Sequence, residues 1–89
     1  MNERDIVART RAFIQTSFLQ MRPGFPIGDS DPLFANGIID SMGALELLAF
    51  LEREFGIVVA DDESTEQNIG TLADIARFVA SKRSDGKPV

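Results

Sequence analysis

With 89 residues and a net charge of −5, the chain makes one small domain with a thin core, for which compact helical packing is the natural solution. It contains no cysteine and no histidine, which excludes disulfides, thiolate metal sites, thiol catalysis and an imidazole-activated serine hydrolase. The only lysines, Lys82 and Lys87, are assigned to the C-terminal tail, so a Ser-Lys pair is barely open and the domain is expected to do no chemistry of its own.

A first helix is predicted from residue 3 to about 21. Ile6, Val7, Phe13, Ile14, Phe18 and Met21 fall within one third of its circumference, with Arg4, Arg9, Arg11 and Gln15 outside. Arg22-Pro23-Gly24-Phe25-Pro26 stops it, because proline cannot continue the hydrogen-bond ladder. The connection to Asp40 starts polar, at Gly28-Asp29-Ser30-Asp31-Pro32, and turns apolar at Leu33-Phe34 and Ile38-Ile39. Loops longer than about 12–15 residues are usually functional or disordered, and apolar pairs at these places predict one pinned on the core.

A second helix is predicted from Ser41 to Phe55, with Gly56 as its C-cap. Steps of 100° put Ala44, Leu47, Leu48, Leu51 and Phe55 on a core stripe. The opposite face carries Met42, Gly43, Glu46, Ala49, Phe50 and Arg53, with Leu45 on the flank. Met42, Ala49 and Phe50 beside Glu46 then make a candidate contact patch. Ile57-Val58-Val59 is β-branched, but with no second strand to pair with it reads as an extended loop. Asp61 to Gln67 has room for one or two helical turns ending near Asn68-Ile69-Gly70. The last helix opens at Thr71, with Asp74 three residues on in a capping-box-like arrangement, and buries Leu72, Ile75, Ala76 and Val79. Residues 84–89 are expected to form a mobile polar tail behind a folded domain of residues 1–83. Repeats, heptad seams, metal-ligand spacings and phosphate-cradling glycine loops are not found.

Charge is unevenly spread. Arg4, Arg9, Arg11 and Arg22 outweigh Glu3 and Asp5 in residues 1–22, whereas residues 41–69 hold seven acids (Glu46, Glu52, Glu54, Asp61, Asp62, Glu63 and Glu66) against Arg53 alone. Such a field repels nucleic acid and attracts partners with basic patches, or is simply a solvated acidic face. No apolar run approaches the ~20 residues that cross a bilayer, and the polar Met-Asn-Glu-Arg-Asp start does not suit a secretory signal. A cytoplasmic protein is the expectation.

Asp40-Ser41 is the candidate functional point. Either residue caps a helix start, and the same place suits a covalently attached phosphate, since unpaired N–H groups and the positive end of the dipole favour an anion. Three segments then fall in order. Leu33-Phe34 with Gly37-Ile38-Ile39-Asp40-Ser41-Met42, the Glu46 to Ile57 run, and Asn68-Ile69-Gly70-Thr71-Leu72 together resemble the acyl and peptidyl carrier proteins, with Ser41 matching their phosphopantetheine attachment serine. The resemblance implies an all-α, four-helix carrier bundle with three main helices and a short third one. It further implies a covalent 4′-phosphopantetheine on Ser41, installed from coenzyme A by a phosphopantetheinyl transferase, with Asp40 part of that recognition. Met42, Leu45, Glu46, Ala49 and Phe50 match positions where members of the family meet partners. Those partners would be an acyl- or aminoacyl-activating ligase and downstream acyl-processing enzymes, served by a monomeric carrier.

Departures from the family pattern narrow the reading. Gly43 stands where fatty-acid-synthase-type members commonly carry an acid, and Arg53 interrupts a run that is often acidic. Asp61-Asp62-Glu63 and Glu66-Gln67-Asn68-Ile69 resemble a segment of discrete carriers paired with adenylating ligases, although Ser64 and Gln67 depart from it. A dedicated pathway carrier, acyl or aminoacyl, is the expectation. Leu45, Leu48, Ile57, Ile69 and Ile75 either line a cargo pocket or pack solidly, and helical cores normally leave no voids.

Overall fold

The computed structural model describes residues 2–22 and 25–85, and these fold as an all-helical bundle without strands. Helix α1 spans Glu3–Phe18, α2 Ser41–Phe55, the short α3 Glu66–Ile69 and α4 Leu72–Asp85, with a single 3₁₀ turn at Asp61–Glu63 before α3. This is the four-helix arrangement expected, with three main helices and a short third one.

Helix α1 starts where Asn2 accepts a hydrogen bond from the Asp5 N–H at 2.9 Å. It ends three residues earlier than its periodicity suggests. Leu19 leaves the helical conformation and drops into the core, so Met21 falls outside the helix and stands 93% exposed instead of extending the buried stripe. Of the segment expected to stop the helix, Pro23 and Gly24 lie outside the described residues. The innermost row on α1 is Ile6, Thr10 and Ile14 at i, i+4 spacing, with Val7, Phe13 and Phe18 half-buried beside it. This face packs chiefly on α4, whose buried row is Leu72, Ile75, Ala76, Phe78 and Val79. Thr10 was not foreseen in the core, and its hydroxyl has no hydrogen-bond partner among the described residues.

The long connection is pinned as expected. Ile27, Leu33 and Ile39 are buried, and polar ties fasten both sides. Arg11 of α1 donates to the Ile27 carbonyl at 3.0 Å and pairs with Asp29. From the other side, the Ala73 N–H in the first turn of α4 donates to the Asp29 carbonyl at 2.9 Å. The Leu33 N–H donates to the Gly70 carbonyl at 2.8 Å, which ties the loop to the turn between α3 and α4.

Helix α2 has the predicted bounds and ends at Gly56, whose φ of 68° is the left-handed conformation glycine adopts without penalty. Its buried arc is wider than predicted. Phe50, expected on the exposed face, is only 8% exposed, because α1 approaches from that side. Its ring stacks on Phe13 with centroids 4.1 Å apart and meets Phe55 edge-on at 5.9 Å. Gly43, assigned to the same face, is also buried. A Cβ there would stand 2.8 Å from the Phe18 ring and 3.1 Å from the Ile39 side chain. Close approach of the end of α1 therefore explains a glycine that weakens the helix by about 0.5–1 kcal/mol relative to alanine.

Ile57-Val58-Val59 is extended and unpaired, as expected, with the Val59 N–H donating to Glu52 Oε2 at 2.8 Å. Thr71 Oγ1 accepts from the Asp74 N–H at 3.0 Å and starts α4, while the Asp74 carboxylate pairs with Arg77. At its far end Arg83 donates to the Phe55 carbonyl at 2.5 Å, closing the C-terminus of α2. Helix α4 continues through Asp85, so the expected tail boundary at residue 84 falls inside it, and residues 86–89 lie outside the described residues. Lys82 is thus a helical residue, and it bonds Glu63 through both carboxylate oxygens. That bond and the Ala60 N–H hold the Glu63 carboxyl below the ordinary glutamate range. The resulting contribution to stability is present above that range and is lost as the pH falls through the depressed value.

Candidate phosphopantetheine site

The approach to Ser41 is built around Leu33. Its carbonyl accepts from the Ile38 N–H at 3.0 Å and the Ile39 N–H at 3.2 Å, so the chain folds back over a buried side chain. Gly37 turns the corner with φ 73°, a conformation that disfavours other residues. Ile39 is then drawn into the core, and the next two residues emerge at the mouth of α2.

Asp40, and not Ser41, is the N-cap. Its Oδ1 accepts from the Gly43 N–H at 2.7 Å, while its carbonyl accepts from the Ala44 N–H at 2.9 Å. Of the two residues able to cap the helix, Asp40 does so, and Ser41 is the first helical residue. It is exposed, and no hydrogen bond engages its hydroxyl among the described residues. The N–H groups of Ser41 and Met42 precede the first intrahelical bond, so the positive end of α2 faces outward beside a free hydroxyl. A phosphodiester on that oxygen meets the favourable field of the helix start, against which the neighbouring Asp40 carboxylate adds repulsion.

A surface cleft of about 450 Å³ opens beside Ser41. Phe34, Ala44, Leu45 and Ile69 supply its apolar part, and Ser64, Thr65 and Glu66 form a polar wall. Of the five residues named as a possible pocket, only Leu45 and Ile69 reach this cleft. Ile57 and Ile75 belong to the packed core, with Leu48 against it. The cleft thus offers space for an attached group at the surface. The polar wall was not foreseen as part of the site. Its local signal was Thr65 directly before Glu66, a helix-start pattern, and Thr65 does cap α3 by accepting from the Asn68 N–H.

Along α2, Met42 (74% exposed) and Leu45 (65% exposed) stand out, with Glu46 and Ala49 exposed on the following turn. Phe50 offers almost no surface and belongs to the aromatic stack. The profile of the family described as "Phosphopantetheine attachment site" matches residues 17–79, which takes in the loop, the mouth of α2 and most of α4.

The chain belongs to the phosphopantetheine-attachment family. Its cofactor is accordingly a covalently attached 4′-phosphopantetheine, and the role of such a domain is that of a carrier. The free hydroxyl, the outward N–H groups and the adjoining cleft fit that group. Among curated proteins none matches this carrier domain in sequence. No helix among the described residues is long and apolar enough to cross a membrane.

Proposed function

We propose that Ser41 carries the 4′-phosphopantetheine and that the chain is an acyl carrier protein, presenting an acyl intermediate to the enzymes of a biosynthetic pathway. When bound, the group supplies a terminal thiol that holds the cargo as a thioester, the chemistry a chain without cysteine lacks. The observation that carries the reading is the exposed Ser41 hydroxyl, left free because Asp40 has taken the capping bond. Ser41 anchors the arm, Asp40 fixes the helix mouth, and the domain contributes no catalytic step.

Met42, Leu45, Glu46 and Ala49 form the face offered to a phosphopantetheinyl transferase and to the activating and processing enzymes. Glu46 there supports electrostatic steering of partners with basic patches. The carrier works as a cytoplasmic monomer. The apolar part of the cleft supports an acyl cargo. The Asp61 to Ile69 segment, with its likeness to ligase-paired carriers, favours a second reading as an aminoacyl carrier loaded by a discrete adenylating ligase.

The test is intact mass after incubation with coenzyme A, Mg²⁺ and a broad-specificity phosphopantetheinyl transferase, with Ser41→Ala beside the native chain. The expected result is one added arm on the native chain and none on the variant. Because Ser41 is not the cap, the variant should keep its helical circular dichroism, with stability within about 0.5 kcal/mol. An unmodified native chain, or an equally modified Ser41→Ala, overturns the assignment.

A further inference from the structure

Ile57 and Ile69 are buried, but between them residues 58–68 put no side chain fully into the core. Val59, Glu63 and Asn68 are half-buried and the others are exposed. Apolar contact holds this stretch only toward its ends, through half-buried Val59 and through the packing of α3 on α4, although the stretch supplies the Ser64-Thr65-Glu66 wall of the cleft beside Ser41. Two carboxylates add the polar ties. Glu52 of α2 grips the Val59 N–H near the start of the stretch.

Glu63 holds the middle from four directions. Its Oε1 accepts from the Ala60 N–H at 2.9 Å and from Lys82 Nζ at 2.8 Å, and its Oε2 lies 3.1 Å from the same ammonium. Its carbonyl accepts from Asn68 Nδ2 at 2.8 Å and from the Thr65 N–H at 2.9 Å. One residue thus binds the chain before it, the chain after it and the last main helix. Among the hydrogen bonds of the described residues, Lys82 is the one side chain of α4 that reaches residues 58–68.

We propose that the Glu63–Lys82 pair is a positioning device for the cleft wall, holding Ser64, Thr65 and Glu66 where a partner closing over Ser41 meets them. The functional half of this rests on Ser41 as the attachment residue. A partner seated over Ser41 touches both sides of the cleft. A wall that samples several positions must be ordered when the partner binds, and the apparent affinity falls by the fraction of chains already in the competent arrangement. Breaking the pair should therefore weaken partner binding and leave the transfer step itself nearly unchanged. Glu63 and Lys82 touch neither Ser41 nor the cleft, so both are positioning residues.

Hydrogen exchange on the full unmodified chain tests the positioning, and loading kinetics with the same transferase, at saturating coenzyme A and varied carrier, test its consequence. Lys82→Met should speed exchange across residues 60–66 about tenfold while the amides of α1, α2 and the first turns of α4 hold their rates. The KM for the carrier should rise about three- to tenfold with kcat within about twofold. Lys82→Arg, which keeps the charge, should restore both quantities. Glu63→Gln keeps an acceptor for Ala60 and should move both in the same direction as Lys82→Met, by less.

Unchanged exchange in residues 60–66 overturns the positioning role. So does faster exchange spread evenly over all helices, which marks general destabilisation. Faster local exchange with an unchanged KM, or an equal loss in kcat, overturns the link to partner binding. A native chain that is never loaded sinks the Ser41 reading, and the exchange data then still decide the positioning role by themselves.

Discussion

The two ends of α2 have similar apolar content and opposite fates. At the C-terminal end Phe50, Leu51 and Phe55 are buried, Gly56 turns the chain, and Arg83 closes the Phe55 carbonyl. At the N-terminal end Met42 and Leu45 face solvent beside Ser41, while Gly43, Ala44 and Leu47 turn to the interior. The rear anchors the helix between α1 and α4, whereas the front buries one side, at Gly43 and Leu47, and presents the other to solvent. Exposed apolar side chains at the front are stable there because the rear supplies the burial.

Truncation at the rear should have the largest effect. Phe55→Ala should lose about 3–5 kcal/mol in urea unfolding, a large share of the ~5–15 kcal/mol typical of a small domain. A loss below about 1 kcal/mol would mean that the rear is not the anchor. Next comes Gly43→Ala. Helix propensity alone would make it favourable, but a Cβ at 2.8 Å from the Phe18 ring should cost about 1–3 kcal/mol. A more stable Gly43→Ala would show that α1 and the front of α2 are not in close contact.

The cap comes third. Asp40→Ala removes the bond to the Gly43 N–H and should cost about 0.5–2 kcal/mol, read as a lower urea midpoint. Asp40→Asn should recover most of it, which separates the capping role from any role of the charge in transferase recognition. The smallest effect belongs to the exposed front. Met42→Ala and Leu45→Ala should each stay within about 0.5 kcal/mol of the native chain by thermal unfolding, while raising the carrier KM in the loading assay. If either variant unfolded as readily as Phe55→Ala, the division of α2 into an anchor and a presented face would fail.

Much of this was legible locally. Asp40, Ser41 and Gly56 marked the bounds of α2, Thr71 marked the start of α4, and Leu33 and Ile39 announced a loop pinned to the core. Each is a matter of neighbouring residues: which side chain reaches which N–H, which backbone accepts a left-handed turn, which apolar pair seeks burial. The cleft was not legible, since Phe34 and Leu45 face Thr65 and Glu66 across a wide sequence gap.

The sequence by itself determined that the chain is a four-helix domain with one serine at the mouth of its second main helix and acidity gathered behind it. Short-range hydrogen bonding and the 3.6-residue period are enough for the three main helices and the place of the serine, and the family resemblance implied the short third helix. Only the tertiary structure decided that Phe50 and Gly43 lie inside, that Met21 lies outside, and that Lys82 holds Glu63. A helical period describes burial against one neighbour, whereas α2 is enclosed by α1 on one side and by α4 and the loop on the other. The shape of that enclosure is set by contacts between residues far apart in the chain.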